Sequence, residues 1–226
     1  MIVFNRPGPV NTDAAIEAAK ASAAKCEGIV VASITGDSAI RVAERIPGKK
    51  VVCVTCPQGM HWEVGHMDQG PFGSIPELKE IRNRWLDQGL SHVPMSIPPE
   101  NRQRLERLHV DIVQGTIPLF GPTFSMRVHL RKVTELDVVA KTLEMISTGT
   151  LVGLECAMMA VDAGVVPEGS IVLALAGTER GLDTAWTLQC SASANLYHPT
   201  RGSRFVELLA KPGISVIPDV EIEYLR

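Results

Sequence analysis

The feature that most constrains the fold is residues 28–39, which read GIVVASITGDSA. The first part of this segment is apolar and uncharged, which is typical of a parallel strand buried on both faces. Ser33, Thr35 and Ser38 then supply hydroxyl donors, and Gly36 permits close backbone approach. A helix is predicted to follow directly, and the free N–H groups of a helix N-terminus attract anions. The segment therefore predicts a cradle for the phosphate of a bound ligand.

Strands and helices are predicted to alternate along the rest of the chain. The helix after this cradle ends at Pro47 and Gly48, and the next buried strand completes a β-α-β unit with a right-handed crossover. The other predicted strands are 50–55, 91–97, 170–176 and 184–190, the predicted helices are 12–25, 38–46, 76–90, 101–108, 134–149, 150–163 and 201–209, and a β-rich tail ends the chain. This pattern predicts an α/β fold, a three-layer α/β/α sandwich with a mainly parallel sheet, in one domain over residues 1–226.

Two stretches rich in glycine and proline, residues 56–75 and 115–126, are predicted to be loops. The first is too long for a simple connection, so we expect it to form a lid or a wall of a ligand site. The second carries hydroxyl and aromatic side chains but no regular period. It is a further potential ligand contact.

Composition excludes several classes of partner. A net charge of −3 and a pI of about 6.1 leave no basic surface, so nucleic acid is not expected to bind. The apolar run at residues 1–4 is too short for a signal peptide, and no apolar stretch approaches membrane-spanning length. We therefore expect a cytoplasmic protein without a membrane partner. Five cysteines in a chain of this length predict reduced, buried thiols.

Ligands of open parallel sheets bind outside the carboxyl ends of the strands, and three predicted turns lie there, at 33–38, 55–59 and 177–184. Arg127 and Arg180 are predicted to lie in loops where a guanidinium could close on a phosphate. Neither the GxGxxG nor the Walker pattern occurs, so no dinucleotide fingerprint is supported. The residues expected to bind the ligand are Ser33, Thr35, Gly36, Asp37, Ser38, Thr55, Cys56, Arg127, Gly177, Thr178, Gly181, Asp183 and Thr184.

Two further patterns resemble metal or redox motifs. Cys53 and Cys56 have the CxxC spacing, but residues three apart on a strand point to opposite faces, which suits neither one metal ion nor one disulfide. His61, Glu63 and His66 are three potential zinc ligands in the predicted lid, and a metallohydrolase would use them. No other histidine or cysteine pair of familiar spacing lies nearby, so a solvated loop is favoured and no metal site is expected.

Glu155 interrupts the apolar run 151–159. A carboxylate there lies either at the solvent edge or buried and paired with another group. It is a candidate site residue that ranks below the residues of the three turns.

Residues 11–15, 28–39 and 50–55, in this order, resemble the C-terminal domain of pyruvate kinase. In some members of that family the matching turn holds the phosphate of an allosteric sugar bisphosphate. No catalytic barrel accompanies the domain here, so the resemblance argues against kinase activity. The segments that extend the resemblance, to stand-alone and largely uncharacterised prokaryotic relatives of that domain, are 134–149, 155–164 and 176–185.

Those relatives are associated with bound flavin mononucleotide (FMN), so the resemblance implies FMN as the cofactor. Its phosphate would lie on the turn at 33–38 and its ring near the turn at 177–184. Asp37 stands where pyruvate kinases commonly have a basic residue. A carboxylate beside a phosphate dianion is unfavourable unless it faces ligand hydroxyls, which weakens the case for a sugar bisphosphate.

The leading expectation is a protein that binds FMN, whose flavin-dependent activity is left open. The alternative is a ligand-sensing or oligomerisation module that binds a sugar phosphate without catalysis. Because the related kinase domain serves regulation and subunit contact, we also expect a homo-oligomer. Substituting Gly36 by valine is expected to block the phosphate while the fold stays intact. Residues expected near the flavin ring are Trp62, Phe120 and Phe124 for stacking, and Cys56, Glu155 and Asp183 for chemistry.

Overall fold

The structure, a computed structural model, describes residues 1–213. The strands of this part of the chain are β1 (Ile2–Phe4), β2 (Gly28–Ala32), β3 (Val51–Thr55), β4 (His61–Glu63), β5 (His92–Pro94), β6 (Asp111–Gln114), β7 (Ile171–Ala176), β8 (Thr184–Gln189) and β9 (Arg204–Pro212). Its helices are α1 (Thr12–Ala23), α2 (Asp37–Arg45), α3 (Pro71–Ser74), α4 (Pro76–Asp87), α5 (Pro99–Arg107), α6 (Gly121–Leu130), α7 (Glu135–Glu144) and α8 (Thr148–Asp162).

A mainly parallel sheet forms the middle of the molecule. Its seven strands follow the order β1-β9-β8-β7-β2-β3-β6, and only β8 runs antiparallel to its two neighbours. β2 lies at the centre, with Val30 paired to Val52 of β3 and to Ala174 of β7. Strands that are buried on both faces are uniformly apolar, which is why β2, β3 and β7 could be predicted from sequence.

Helices cover both faces of this sheet and give the three layers that the sequence predicts. On one face Ile29 and Val31 pack in a core with Ile16 of α1 and Ile40 of α2. On the other face the neighbouring strand residues pack against α8, which is buried along most of its length. The alternation of side chains along each strand assigns successive residues to the two cores. None of the helices within residues 1–213 is long and apolar enough to cross a membrane.

The helix predicted at residues 201–209 is wrong, because this segment is strand β9. It pairs antiparallel with β8, through Leu188 and Phe205, and parallel with β1, through Ile2 and Ala210. Without β9, the backbone groups along one edge of β8 would have no partner in the sheet, which is costly for a buried strand. Tertiary pairing therefore overrides local preference here. Most of the β-rich tail expected after it lies outside the described residues.

Three other elements differ from the prediction. The second part of the loop predicted at residues 115–126 is helical, because α6 begins at Gly121. A proline lies in the first turn of α6, a position that tolerates proline. The strand predicted at 91–97 is shortened to β5 and joins β4 instead of the main sheet. Strand β6 at the sheet edge was not predicted. Only two of its four residues are apolar, which is too few to give a clear pattern.

The loop predicted at residues 56–75 contains strand β4 and helix α3, and with the elements that follow it forms a small unit, which we call the cap and define as residues 60–97. The cap contains the two-stranded antiparallel sheet of β4 and β5, with α3 and α4 in the connection between these strands, and has its own apolar cluster built around Trp62, Phe72 and Leu78. The ring centroids of Trp62 and Phe72 lie 6.0 Å apart, and those of Trp62 and Trp85 lie 5.3 Å apart. The cap follows β3 directly, so it lies at the carboxyl end of the sheet.

Candidate functional site

A cavity of about 730 Å³ opens where β2, β3 and β7 end. Its walls come from the turn after each of these strands, from the cap and from α8. This volume lies within the range of small-molecule and cofactor sites. The sequence-predicted site residues that line the cavity are Ser33, Thr35, Asp37, Ser38, Thr55, Cys56, Gly177 and Gly181.

Side-chain hydroxyls fix the shape of the turn between β2 and α2. The Ser33 hydroxyl oxygen accepts a hydrogen bond from the Ser38 N–H at 3.1 Å, which satisfies one of the free amides at the start of α2. The Thr55 hydroxyl donates to the Ile34 carbonyl at 2.9 Å and ties the end of β3 to the same turn. The cavity therefore meets the positive end of the α2 dipole on a preformed backbone.

Gly36 shapes this turn from the side away from the cavity. It has a φ of 85° immediately before α2, a conformation that side chains other than glycine rarely adopt. A Cβ at this position would lie 3.0 Å from Leu105 and 3.3 Å from Ile97, which belong to the core. The prediction that Gly36→Val blocks the phosphate without disturbing the fold does not agree with this geometry. Valine would strain the backbone and press on core side chains instead of entering the cavity.

Asp37 is held by neighbours that offset its charge. Its carboxylate accepts hydrogen bonds from the Thr35 hydroxyl at 2.6 Å and from the Asn101 amide at 2.8 Å. The Arg180 guanidinium lies 3.7 Å away. Asn101 also donates to the Thr35 carbonyl at 2.8 Å. The oxygens of this acidic residue are therefore already engaged by neighbouring groups.

Three arginines, Arg41, Arg84 and Arg180, line the cavity on the side of this turn and of the cap. Burial lowers the pKa of Arg180, and its guanidinium lies 5.9 Å from the centroid of the Trp62 ring. Arg41 and Arg84 were missed by the sequence analysis. The signal for Arg41 was its place one turn after Asp37, since residues four apart share a helix face. Arg84 comes from the cap, and no local pattern marks it.

Glu155 lies on α8 inside the apolar part of the cavity and is only 4% exposed. One oxygen accepts a hydrogen bond from the Leu119 N–H at 3.2 Å. Burial raises the pKa of this carboxyl to about 8, because the charged form loses its hydration. Glu155 is therefore mostly protonated at neutral pH and can donate a hydrogen bond into the cavity.

Asp183 and its hydroxyl neighbours brace the third turn and do not line the cavity. The Asp183 carboxylate is fully buried and accepts from the Gly8 N–H at 2.9 Å, the Thr178 hydroxyl at 2.8 Å and the Thr184 hydroxyl at 2.9 Å. Burial raises the pKa of Asp183, while these three bonds favour its charged form. Thr184 also bonds to Ser147 at the start of α8, at 3.0 Å. This network positions the turn at 177–181.

Arg127 lies on α6 and bonds to Asp137, the residue that closes a capping box at the start of α7. It does not line the cavity, because it fastens two helices to each other. Of the aromatic candidates, Phe120 lines the cavity, and Phe124 stacks on it from outside with ring centroids 4.8 Å apart. Trp62 is buried in the cap, and its indole N–H donates to the Glu179 carboxylate at 3.4 Å.

The cysteines are thiols without disulfide partners in the described part of the chain. Cys53 is buried in β3, whereas Cys56 lies beyond the strand and lines the cavity. Burial raises the pKa of Cys56 to about 11, so this thiol is protonated at neutral pH. The CxxC spacing therefore brings neither a metal pair nor a reactive thiolate to the cavity.

Comparison with protein families agrees with this fold. The sequence model of the family described as pyruvate kinase, alpha/beta domain, matches residues 12–188. This range begins at α1 and ends in β8, so it contains the strands and the three turns that form the cavity. The chain belongs to the family of the pyruvate kinase alpha/beta domain.

Proposed function

We propose that the cavity binds a phosphorylated ligand that carries an aromatic ring system, and that this ligand is FMN. The observation that carries the proposal is the mixed lining of one cavity. The lining combines a helix N-terminus with hydroxyls and arginines and a set of apolar and aromatic side chains, and we assign the first group to one end of the ligand and the second group to the other. FMN combines a phosphate and a planar ring in the same way.

The phosphate is assigned to the turn between β2 and α2. Amides of the first turn of α2 provide N–H donors, and the helix dipole favours an anion there. Arg41 and Arg180 line the same cavity and provide guanidinium groups suited to phosphate oxygens. The Asp37 carboxylate is engaged by Thr35 and Asn101, which limits its repulsion of the phosphate.

The flavin ring is assigned to the apolar end, between the cap and α8. A planar ring packs well against flat and flexible apolar side chains. Protonated Glu155 can donate a hydrogen bond to a ring oxygen or nitrogen from within this wall. The apolar lining residues at this end are Met60, Trp85, Met95, Ile117, Phe120 and Leu151.

Bound FMN would supply electron and hydride transfer, and the protein would supply orientation and polarity. Of the residues expected to act on the ring, Glu155 and Cys56 line the cavity, and Asp183 is enclosed by its own hydrogen bonds behind it. Glu155 is the group best placed to hold or release a proton near the ring. Any flavin-dependent activity would depend on it.

The test is a titration of purified full-length protein with FMN, followed by flavin absorbance and by calorimetry. We expect saturable binding of one FMN per chain, and release of flavin on denaturation if the protein copurifies with it. Riboflavin, which lacks the phosphate, should bind more weakly. A protein that stays colourless and is stabilised only by sugar phosphates would replace FMN with the alternative function, a sensing module.

Two arginines on α2 provide a matched pair of variants. Arg41 and Arg45 both bond to Asp13, the latter at 3.1 Å, but only Arg41 lines the cavity. Loss of a charge-assisted hydrogen bond costs about 1.5–3 kcal/mol, which is roughly a tenfold to hundredfold loss of affinity. We expect this loss of FMN affinity for Arg41→Gln and little change for Arg45→Gln. Equal effects of the two variants would remove the phosphate from this turn.

Homo-oligomerisation and a cytoplasmic location stay predictions from the sequence. Large apolar side chains are exposed on and after α6, including Leu130 and Val133, and a second copy could cover them. Light scattering of the purified protein measures the number of subunits directly. A monomer at micromolar concentration would contradict the expected oligomer.

A further inference from the structure

The two-stranded β4–β5 sheet brings together metal-ligating side chains that lie about thirty residues apart in the sequence. His61 and Glu63 are two residues apart on β4, so they share one face of the strand. Glu63 is paired directly with His92 on β5. All three side chains are exposed, whereas Trp62 between them is buried on the opposite face. This two-stranded sheet therefore has an apolar inner face and a polar outer face.

The ligand atoms of this outer face are close enough for one ion. One nitrogen of each histidine and one Glu63 oxygen all lie within 4.8 Å of one another. His61 Nε2 lies 3.9 Å from Glu63 Oε1, and the two histidine ring centroids lie 4.8 Å apart. Tetrahedral ligands at bond lengths of about 2.0–2.1 Å are about 3.3 Å apart. Small rotations of exposed side chains close this difference.

We propose that His61, Glu63 and His92 form a binding site for a divalent transition metal ion, with Zn²⁺ the best match. Two imidazole nitrogens and one carboxylate oxygen are a common set of zinc ligands. A harder ion such as Mg²⁺ or Ca²⁺ prefers oxygen ligands and would bind this set poorly. The site lies on the outer face of the cap, apart from the FMN cavity.

Neighbouring groups hold two of these ligands in orientations suited to a metal. His66 Nδ1 lies 2.8 Å from Glu63 Oε2, which leaves Oε1 directed toward His61. The Ser91 hydroxyl lies 3.0 Å from His92 Nδ1, which leaves Nε2 for the ion. Hydrogen bonds of this kind fix the orientation of metal ligands in proteins. Here these hydrogen bonds come from His66 and Ser91, which lie next to the two strands in the sequence.

A metal ion at this position would link β4 and β5 to each other. Trp62, on the inner face of the same strand, donates to Glu179, which lines the cavity. Met60 and Met95, which are hydrogen-bonded to each other at one end of this two-stranded sheet, line the cavity as well. A sheet of only two strands is marginally stable alone, so an ion that links β4 to β5 would restrict opening of the cap. The inference is thus a structural metal site that holds the cap over the ligand cavity.

The test is a titration of ligand-free full-length protein with Zn²⁺ in competition with a chromophoric chelator. We expect one Zn²⁺ per chain. His61→Ala and His92→Ala should each weaken binding by more than tenfold, and His66→Ala by about tenfold, the usual effect of losing a residue that orients a ligand. His129→Ala removes an exposed histidine on α6 and is the control, which should leave the affinity unchanged.

Hydrogen exchange of the backbone amides provides a second measurement. Zn²⁺ should slow exchange within the cap in the wild-type protein and in His129→Ala, but not in His92→Ala. Equal loss of binding in all of these variants, or several weak ions per chain, would show adventitious binding to surface histidines and overturn the proposal. Because no flavin is present, the result is independent of whether the cavity binds FMN.

Discussion

The buried carboxyl of Glu155 makes the stability of the protein depend on pH in a way that one substitution removes. Its pKa is about 8 in the folded protein, against an ordinary value of 4.5. The folded state therefore retains a proton that the unfolded state releases above about pH 4.5. In this range the unfolded state binds fewer protons, so the free energy of unfolding falls as the pH rises.

The magnitude follows from this pKa difference. Each pKa unit corresponds to about 1.4 kcal/mol. The contribution of Glu155 is fully favourable below about pH 4.5, decreases up to about pH 8 and is constant above that. Between pH 5 and pH 7 it changes by about 2 to 3 kcal/mol, which is a large fraction of the stability of an ordinary domain.

Glu155→Gln removes the titrating group and retains an oxygen that can accept from the Leu119 N–H. We expect the stability of this variant relative to wild type to rise by about 2 to 3 kcal/mol between pH 5 and pH 7. Any constant difference in packing cancels in this comparison. Urea unfolding of both proteins without ligand, at pH 5, 6, 7 and 8, measures the change.

The exposed Glu106 on α5 provides the control, because Glu106→Gln is the same substitution at a residue that does not line the cavity. Its unfolding free energy should follow that of the wild type across the pH range. Parallel curves for Glu155→Gln and the wild type would refute the reasoning. They would mean that Glu155 is ionised in the folded protein, as it would be if water entered the cavity and hydrated it.

Two further predictions concern the supports of the cavity. Asp183→Ala leaves the buried Gly8 N–H and two hydroxyls without their acceptor. We therefore expect the free energy of unfolding to fall by about 3 kcal/mol, and a fall of less than about 1 kcal/mol would contradict the network. Gly149→Ala should destabilise the protein by about 1–3 kcal/mol, because its Cβ would lie 2.5 Å from Thr184. In contrast, the Cβ of Gly153→Ala would lie at an ordinary distance of 3.6 Å from Ala174, so this variant should stabilise the protein by about 0.5–1 kcal/mol. Thermal and urea unfolding check both, and equal effects of the two alanine variants would contradict the close helix-to-strand packing.

The fold class and one wall of the site could be predicted because their signals are local. A buried parallel strand is apolar throughout, and a helix that starts beside it needs glycine and hydroxyls in the connecting turn. Residues 28–45 carry all of these signals in one continuous segment. The turn residues Ser33, Thr35 and Ser38 were identified on that basis, and the structure brings them to the cavity.

The rest of the cavity depends on elements that are distant in the chain. Arg84 belongs to α4 of the cap and lines the cavity from there. Glu155 is buried because α8 packs on the sheet beside the segment at Leu119. A charged residue in an apolar helix has the same sequence pattern whether it faces solvent or a cavity. Arg127 shows the opposite case, since a nearby acidic partner engages a side chain that the sequence left free for a ligand.

Amino-acid order alone determined that this chain forms an α/β sandwich with a turn of glycine and hydroxyl residues after its central strand, since those features depend on neighbours within a few residues. Tertiary structure decided that residues 204–212 form a strand, that residues 60–97 fold into a cap, and that His92 lies beside His61 and Glu63. Each of these outcomes depends on backbone pairing between distant segments. The hydrogen-bond partners of a strand lie on another strand, so its own residues specify it only in part.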